Sequence, residues 1–347
     1  MTQTLRNRIA GLAPNVRGAL WMLGSALAFS VMTTLIKYLG ADYPAALQTF
    51  YRQVAGFLIL LPVILKHRGA AFVTTRPGIL IFRSAAGTVG MILSFYAFQK
   101  MPLADANALS FTRTLWLVPL AAFVVRETVG PLRIGAALVG FLGVLIMVRP
   151  GAGGHFAGGY PALAMLASSF LFALTVTGMK VMTRDHSAMV LLVWSATLGL
   201  ILGIPSALFA WRWPAPMDLM LLGLMGVMGT VTQACYIQGM SIGDAGAMAP
   251  VDYTRLVFSA LAGFVLFHET PGIWTWVGAA VVVSSTLFIT WREQRTASDN
   301  KAQDTLPRAQ LGQDLIGGHP VAVVQMPAHQ GDQGGEDRGV ISISDGR

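Results

Sequence analysis

Long apolar runs alternate with short polar ones along the whole chain. Ten runs of about 20 residues stand out, at about 18–38, 45–65, 78–98, 103–125, 131–149, 160–181, 188–210, 217–237, 244–267 and 273–291. As helices, such runs cross a hydrocarbon layer roughly 30 Å thick. A segment in lipid must satisfy its own backbone hydrogen bonds, which selects helices over irregular chain. The connections are short and rich in turn formers, as in GADYP, KHRGAAFVTTRPG, RPGAGGHFAGG and WRWPAP. No domain outside the membrane fits between spans. The pattern predicts an all-α polytopic membrane protein with ten transmembrane helices.

Composition strengthens that picture. Hydrophobic residues make up 54% of the chain and charged residues 12%, about half the charge of a soluble domain. The net charge of +8 therefore points to basic cytoplasmic loops rather than to nucleic acid. With the N-terminus inside, the inner segments hold Arg6, Arg8, Arg17, Lys66, Arg68, Arg76, Arg126, Arg133, Lys180, Arg184, Arg292 and Arg295. The outer ends hold only Lys37, Lys100, Arg149 and Arg212. This asymmetry predicts an inner-membrane protein with both termini cytoplasmic. Ser25–Ala28 imitates a signal-peptide cleavage site. The apolar run continues past it to Ile36, so the segment is expected to remain as the first helix.

The chain is also written twice. ALWMLGSALAFSVMTTLIK (19–37) aligns with ALAMLASSFLFALTVTGMK (162–180) at an offset of 143 residues. QKMPLADANA (99–108) aligns with QGMSIGDAGA (238–247), and Phe111-Thr112-Arg113 aligns with Tyr253-Thr254-Arg255 at an offset of 142. Glu127-Thr128 aligns with Glu269-Thr270, and GAALVG (135–140) with GAAVVV (278–283). Five helices plus five helices places the second copy upside down in the membrane. Two inverted repeats form a building plan of secondary transporters, with the site near the midplane between the halves. The expected division is a cytoplasmic N-terminus (1–17), a first repeat (18–149), a second repeat (160–291) and a cytoplasmic tail (292–347).

The stretch RSAAGTVGMILSFYAFQKMPLADANALSFTRTLWLVPLAAFVVRETVGPLRIGAALVGFLGVLIMVRPG resembles an EamA-type repeat of the drug/metabolite transporter superfamily. Its marks are Arg83, the YAFQKMPLADA turn, Pro119, the RE end of the fourth helix and the GAALVGFLGV fifth helix. APVDYTRLVFSALAGFVLFHETPGIWTWVGAAVVV is similar to the closing half of the second repeat. Pro119 has no counterpart in the second copy, where Pro250 lies earlier in the helix. The resemblance implies ten helices around a central cavity open alternately to each side. It implies a carrier for a small polar metabolite, an amino acid derivative or a cofactor-like compound. DYTRLVFSALAGFVLF leans toward bacterial carriers for S-adenosylmethionine or riboflavin uptake. A lipid or nucleotide-sugar carrier of the same fold is the alternative.

Candidate site residues are the polar groups that lie deep in apolar spans. Arg113 is about ten residues into its helix, roughly 15 Å deep at 1.5 Å per residue. Arg255 is as deep in the ninth helix. A charge there costs about 2.5–3.5 kcal/mol or more on insertion scales. Each therefore either grips an anionic group in a cavity or binds helix carbonyls and a fixed acid. Asp252 precedes Arg255 by three residues, on the same helical face, so it is a structural ion pair or a coupling group. Arg83, five residues into the third helix, and Arg52, seven into the second, either face the cavity or snorkel. Gln53, Tyr253, Trp116 and Gln233 are further candidates for hydrogen bonding or stacking. Asp105 and Asp244 are expected as caps, and Glu127 and Glu269 as interfacial groups.

Other classes lack their chemistry. There is no Walker loop, no HExxH and no G-x-S-x-G, and GAGGHFAGG (151–159) fits a flexible connector. The histidines make no metal spacing, and the single cysteine, Cys235, excludes an intrachain disulfide. A channel would want a ring of filter residues. The expectation is a carrier, not an enzyme, with no cofactor and no metal, as a monomer or homodimer, with ion or proton coupling open. The tail from Arg292 lacks the apolar content for a core and is expected to be disordered.

Overall fold

The computed structural model describes residues 14–67, 74, 77–125, 130–148, 159–182, 188–243 and 245–305. The first half holds α1 (Pro14–Leu39), α2 (Ala45–His67), α3 (Pro77–Lys100), α4 (Leu103–Ser110), α5 (Thr112–Leu120) and α6 (Pro131–Val148). The second holds α7 (Gly159–Met182), α8 (Ala188–Phe209), α9 (Pro216–Ile242), α10 (Ala245–Asp252), α11 (Thr254–Phe267) and α12 (Ile273–Thr305). Twelve helices make ten spans, because the fourth span is α4 plus α5 and the ninth is α10 plus α11. Eight spans are long and apolar enough to cross a membrane by themselves, and two shorter apolar stretches, Ile134–Val148 and Val193–Phe209, complete the set. A single compact unit runs to Ser298. In the second, Asp299–Arg347, residues 299–305 are helical; the rest of the expected tail, and residues 1–13, lie outside the described residues.

Polarity is arranged inside out. Ser25, Ser30, Thr33, Gln48, Thr49, Asn107, Thr112, Ser168, Ser169, Ser259 and Thr286 are buried. Phe82, Leu138, Leu142, Leu261 and Phe264 face outward. A water-soluble protein avoids such a surface, whereas lipid suits it.

The inverted repeat is visible in the packing. α1 lies against α9 and against the α10–α11 span, and its counterpart α7 lies against α3 and the α4–α5 span. Each half thus lays its first helix across the third and fourth spans of the other. Equivalent residues make equivalent bonds. Ser25 Oγ donates to Thr232 O at 2.9 Å, and Ser168 Oγ donates to Gly90 O at 2.7 Å. The serines are 143 residues apart and their acceptors 142. Met22 and Met165 are both fully buried beside them. Small residues let these helices approach closely.

The same device joins the fifth and tenth spans, α6 and α12. A Cβ built on Gly278 would stand 2.6 Å from Gly143 O, and one on Gly143 would stand 2.9 Å from Gly278 O. Backbone cannot yield there as a flexible side chain would. Gly278→Val is therefore expected to cost about 1–3 kcal/mol by overpacking. A melting temperature in detergent several degrees below that of the parent is the expected reading, and an unchanged one would show that α6 and α12 do not cross at these glycines. A groove of about 620 Å³ opens beside this crossing, lined by Val139, Val281 and Phe288 among others. It is apolar and holds none of the candidate arginines.

Candidate functional site

Both broken spans break at the repeated motif. Phe111 lies between α4 and α5 with φ −67° and ψ −16°; Tyr253 lies between α10 and α11 with φ −72° and ψ −12°. At each break the helix tightens to three-residue bonds: Phe111 N to Ala108 O at 3.2 Å, and Tyr253 N to Pro250 O at 3.3 Å. Pro250 disturbs the turn before the second break, since it has no N–H and crowds the carbonyl four residues back, but the first break forms with Ala108 in that place. Pro119 acts further on: the π turn Ala121–Val125 follows it. The two prolines thus disturb different places in equivalent helices. Arg113 and Arg255 each follow their break by two residues, which puts both near the middle of the bundle.

Arg255 is enclosed by the other half of the molecule. Its guanidinium lies 4.1 Å from the Phe111 ring centre and 5.1 Å from that of Phe29. Nη2 donates to Ser110 Oγ at 3.4 Å, Nη1 is 3.9 Å from Asp252 Oδ2, and Nε has no partner among the described residues. Two aromatic faces and a loose ion pair thus offset its burial. Arg113 has no such enclosure. It is half-buried, within Coulombic reach of Arg255, and makes no hydrogen bond or ion pair to a described residue.

The other candidates are dispersed. Tyr253 tilts against Phe111, with ring centres 4.5 Å apart, and shares a hydrogen bond with the Thr286 hydroxyl of α12. Arg52 reaches across α9: a Cβ on Gly229 would stand 2.8 Å from its Nε, and Nη1 is 3.4 Å from Met91 Sδ. Gln53 packs instead against Gly199 in α8, whose Cβ would stand 3.1 Å from the amide carbon. Arg83 is held by the second half, donating Nε to Thr175 O at 3.3 Å and Nη1 to Ser195 Oγ. It ties α3 to α7 and α8. Trp116 sits between Phe141 and Phe170, with its indole N–H unpartnered among the described residues. Gln233 is exposed although it follows Gly226 and Gly229, both buried, by seven and four residues on one face of α9.

Sequence reasoning did not select Asn107. It is fully buried in α4, and Nδ2 donates to Arg255 O at 2.8 Å and to Ser259 Oγ at 2.7 Å. Ser259 Oγ in turn lies 3.4 Å from Ser30 Oγ. This polar seam joins α4 to α11. Nearer the face that carries Lys37, the seam ends in an ion pair between Lys37 and Glu269. Lys37 also donates to Met101 O at 2.8 Å, and Glu269 accepts from Leu103 N at 2.9 Å. Asp105 makes no side-chain cap. It stands within reach of both charges and against Thr275, with Oδ1 unpartnered among the described residues. Glu269, just past the end of α11, is covered by protein, 14% exposed. On the same face Tyr43 donates to Asp218 at 2.8 Å, which raises the phenol's pKa, and Arg212 donates to Asp42 O at 3.1 Å. Glu127 and Asp244 lie outside the described residues.

The central helices are therefore asymmetric. α4 and α11 pack tightly toward the Lys37 face, while among the described residues no comparable packing joins α5 to α10 toward the Pro14 face. Two interleaved, inverted five-helix halves, packed through α4 and α11 toward the Lys37 face, have the architecture of a membrane carrier. The chain belongs to the EamA-like transporter family, whose model matches residues 16–149 and again 159–291. It is a multi-pass transporter of small metabolites in the drug/metabolite transporter superfamily, not an enzyme. It is 30% identical to a protein of Rickettsia bellii named S-adenosylmethionine uptake transporter, over 80% of this chain and 94% of the relative. It is 29% identical to one of the same name from Rickettsia prowazekii, over 82% and 95%. A riboflavin transporter of Rhizobium johnstonii is 29% identical over 81% and 93%. One solved crystal structure superposes with a TM-score of 0.54 at 20% identity, covering 81% of this chain and 99% of its own.

Proposed function

We propose that the protein is an inner-membrane secondary carrier, with cytoplasmic termini, that takes up a small metabolite bearing a carboxylate by alternating access. S-adenosylmethionine is the favoured substrate, in line with the relatives named for its uptake. The observation that carries this reading is Arg113: a cation at the midplane break, without an acid of its own. A guanidinium binds a carboxylate in two parallel bonds, and loss of hydration strengthens them. Tyr253, half-buried at the second break, offers an aromatic ring, and Gln233, exposed on α9, a hydrogen-bonding amide. With α4 packed on α11 toward Lys37 and no comparable packing of α5 on α10 among the described residues, we read the conformation as open toward the termini, the release state of an importer. Riboflavin, which has no carboxylate, would use the rings without Arg113.

The test is a thermal-shift titration of purified protein with S-adenosylmethionine and with riboflavin, followed by counterflow in proteoliposomes. S-adenosylmethionine should raise the melting temperature saturably and drive counterflow. A response to riboflavin alone would move the reading to the flavin, and a response to neither would remove both. Terminal tags labelled in intact cells and in inverted vesicles check the orientation, and labelling of either terminus from outside would reverse it.

A further inference from the structure

The enclosure of Arg255 has a counterpart in the sequence that the structure leaves unassembled. Its walls are Phe29, Ser110 and Phe111, all from the first half. The equivalent positions in the second half, at the same repeat offsets, are Phe172, Asp252 and Tyr253, and the equivalent arginine is Arg113. Inverted repeats exchange conformations when a carrier changes face. The packing now made by α4 on α11 then passes to α5 on α10. Arg113 would enter a cradle of Phe172 and Tyr253. Where Arg255 meets the hydroxyl of Ser110, Arg113 would meet the carboxylate of Asp252.

Resting on the role given to Arg113 above, we infer that Asp252 is the stand-in for the substrate's anionic group during the empty return. In the conformation described, Asp252 stays on its own helix with Arg255, at 3.9 Å, and Arg113 is free to receive a carboxylate. When the empty carrier closes its terminus-bearing face, Asp252 moves onto Arg113. The guanidinium then never enters a closed interior uncompensated, which would cost several kcal/mol. The exchange is open to Asp252 because it holds Arg255 only loosely, at 3.9 Å, and because Arg255, as α4 leaves α11, comes to the less enclosed setting that Arg113 has in the conformation described. Asp252 is a positioning residue in this scheme and does not bind substrate.

The repeat also supplies the reporter. Asn107 and Ser259 touch in the conformation described, and their equivalents at the offset of 142 are Ala249 and Leu117. In a Cys235→Ser background, Asn107→Cys with Ser259→Cys reports closure of the Lys37 face. Leu117→Cys with Ala249→Cys reports closure of the opposite face. Cross-linking is measured on substrate-free protein in liposomes, so the outcome does not depend on which metabolite is carried. The Leu117/Ala249 pair is expected to cross-link in the parent. Its yield should fall at least about fivefold with Asp252→Asn, which leaves the guanidinium uncompensated, and return when Arg113→Gln is added to it. The Asn107/Ser259 pair should cross-link in every variant, which a folding defect would prevent. No Leu117/Ala249 cross-link in the parent, an undiminished yield with Asp252→Asn, or a double variant no better than Asp252→Asn alone would overturn the inference. Loss of S-adenosylmethionine binding has no bearing on that result. A carrier whose cross-links follow the charges, but whose thermal shift ignores Arg113, would retain the exchange and lose only the substrate site.

Discussion

Arg113→Ala is expected to lower substrate flux roughly 30-fold or more while the melting temperature stays within a few degrees of the parent. Truncating one partner of a desolvated charge pair costs about 2–5 kcal/mol, and each 1.4 kcal/mol is about tenfold. The pair in question exists only when substrate is bound. In the conformation described Arg113 has no bond to lose among the described residues, so its removal orphans no partner. Arg255→Ala should behave in the opposite sense. It strips Phe29, Phe111 and Ser110 of the group they enclose and leaves Asp252 alone in the bundle. A drop in melting temperature should therefore accompany its loss of flux. Initial uptake rates in proteoliposomes, set beside thermal scans of the same preparations, separate the two. Equal flux for Arg113→Ala and the parent would take Arg113 out of the site, and equal melting for Arg255→Ala would show the enclosure contributes no stability.

That contrast between two equivalent arginines was invisible in the sequence, where both occur as aromatic-Thr-Arg in apolar spans. The spans themselves were legible, because their length and hydrophobicity are set by the bilayer alone. The inverted pairing was legible too, since an odd number of helices per copy turns the second copy over. Lateral partners were not. Asp252 beside Arg255 follows from helical spacing, but Arg83 on Thr175 and Ser195 depends on which helices touch. Glu269 stands at the end of its apolar run, which suggests an interfacial group. The left-handed residue His268, with φ 54°, ends α11, and Glu269 turns inward to meet Lys37. Asn107 lies among Ala and Leu in LADANALS, and nothing in its neighbourhood tells of the Arg255 carbonyl it serves. Gln53 adjoins Arg52 in sequence, yet it faces Gly199 while Arg52 faces Gly229, because adjacent helical residues point about 100° apart.

The Lys37 face offers the second large effect. Lys37 neutralises a cluster that otherwise contains two acids, Glu269 and Asp105, and it also satisfies the carbonyl of Met101. Removing one member of a buried ion pair leaves the other uncompensated, at about 3–5 kcal/mol. Here the penalty is raised by Asp105, whose charge then faces Glu269 without a mediator. Lys37→Met should therefore destabilise the closed face more than the average core substitution. Replacing both partners, Lys37→Met with Glu269→Gln, should recover much of that loss, because no carboxylate of the pair is then left uncompensated; what stays lost is the bond to Met101 O and part of that from Leu103 N. The predicted consequence is conformational as well as thermal. A carrier that cannot hold α4 against α11 spends more time open toward Lys37, so cross-linking of Asn107→Cys with Ser259→Cys in a Cys235→Ser background should slow in the single variant and recover in the double. The two measurements check one another: a lower melting temperature with unchanged cross-linking would mean that Lys37 supports the fold without latching the face. If both were unchanged, the ion pair would hold nothing shut.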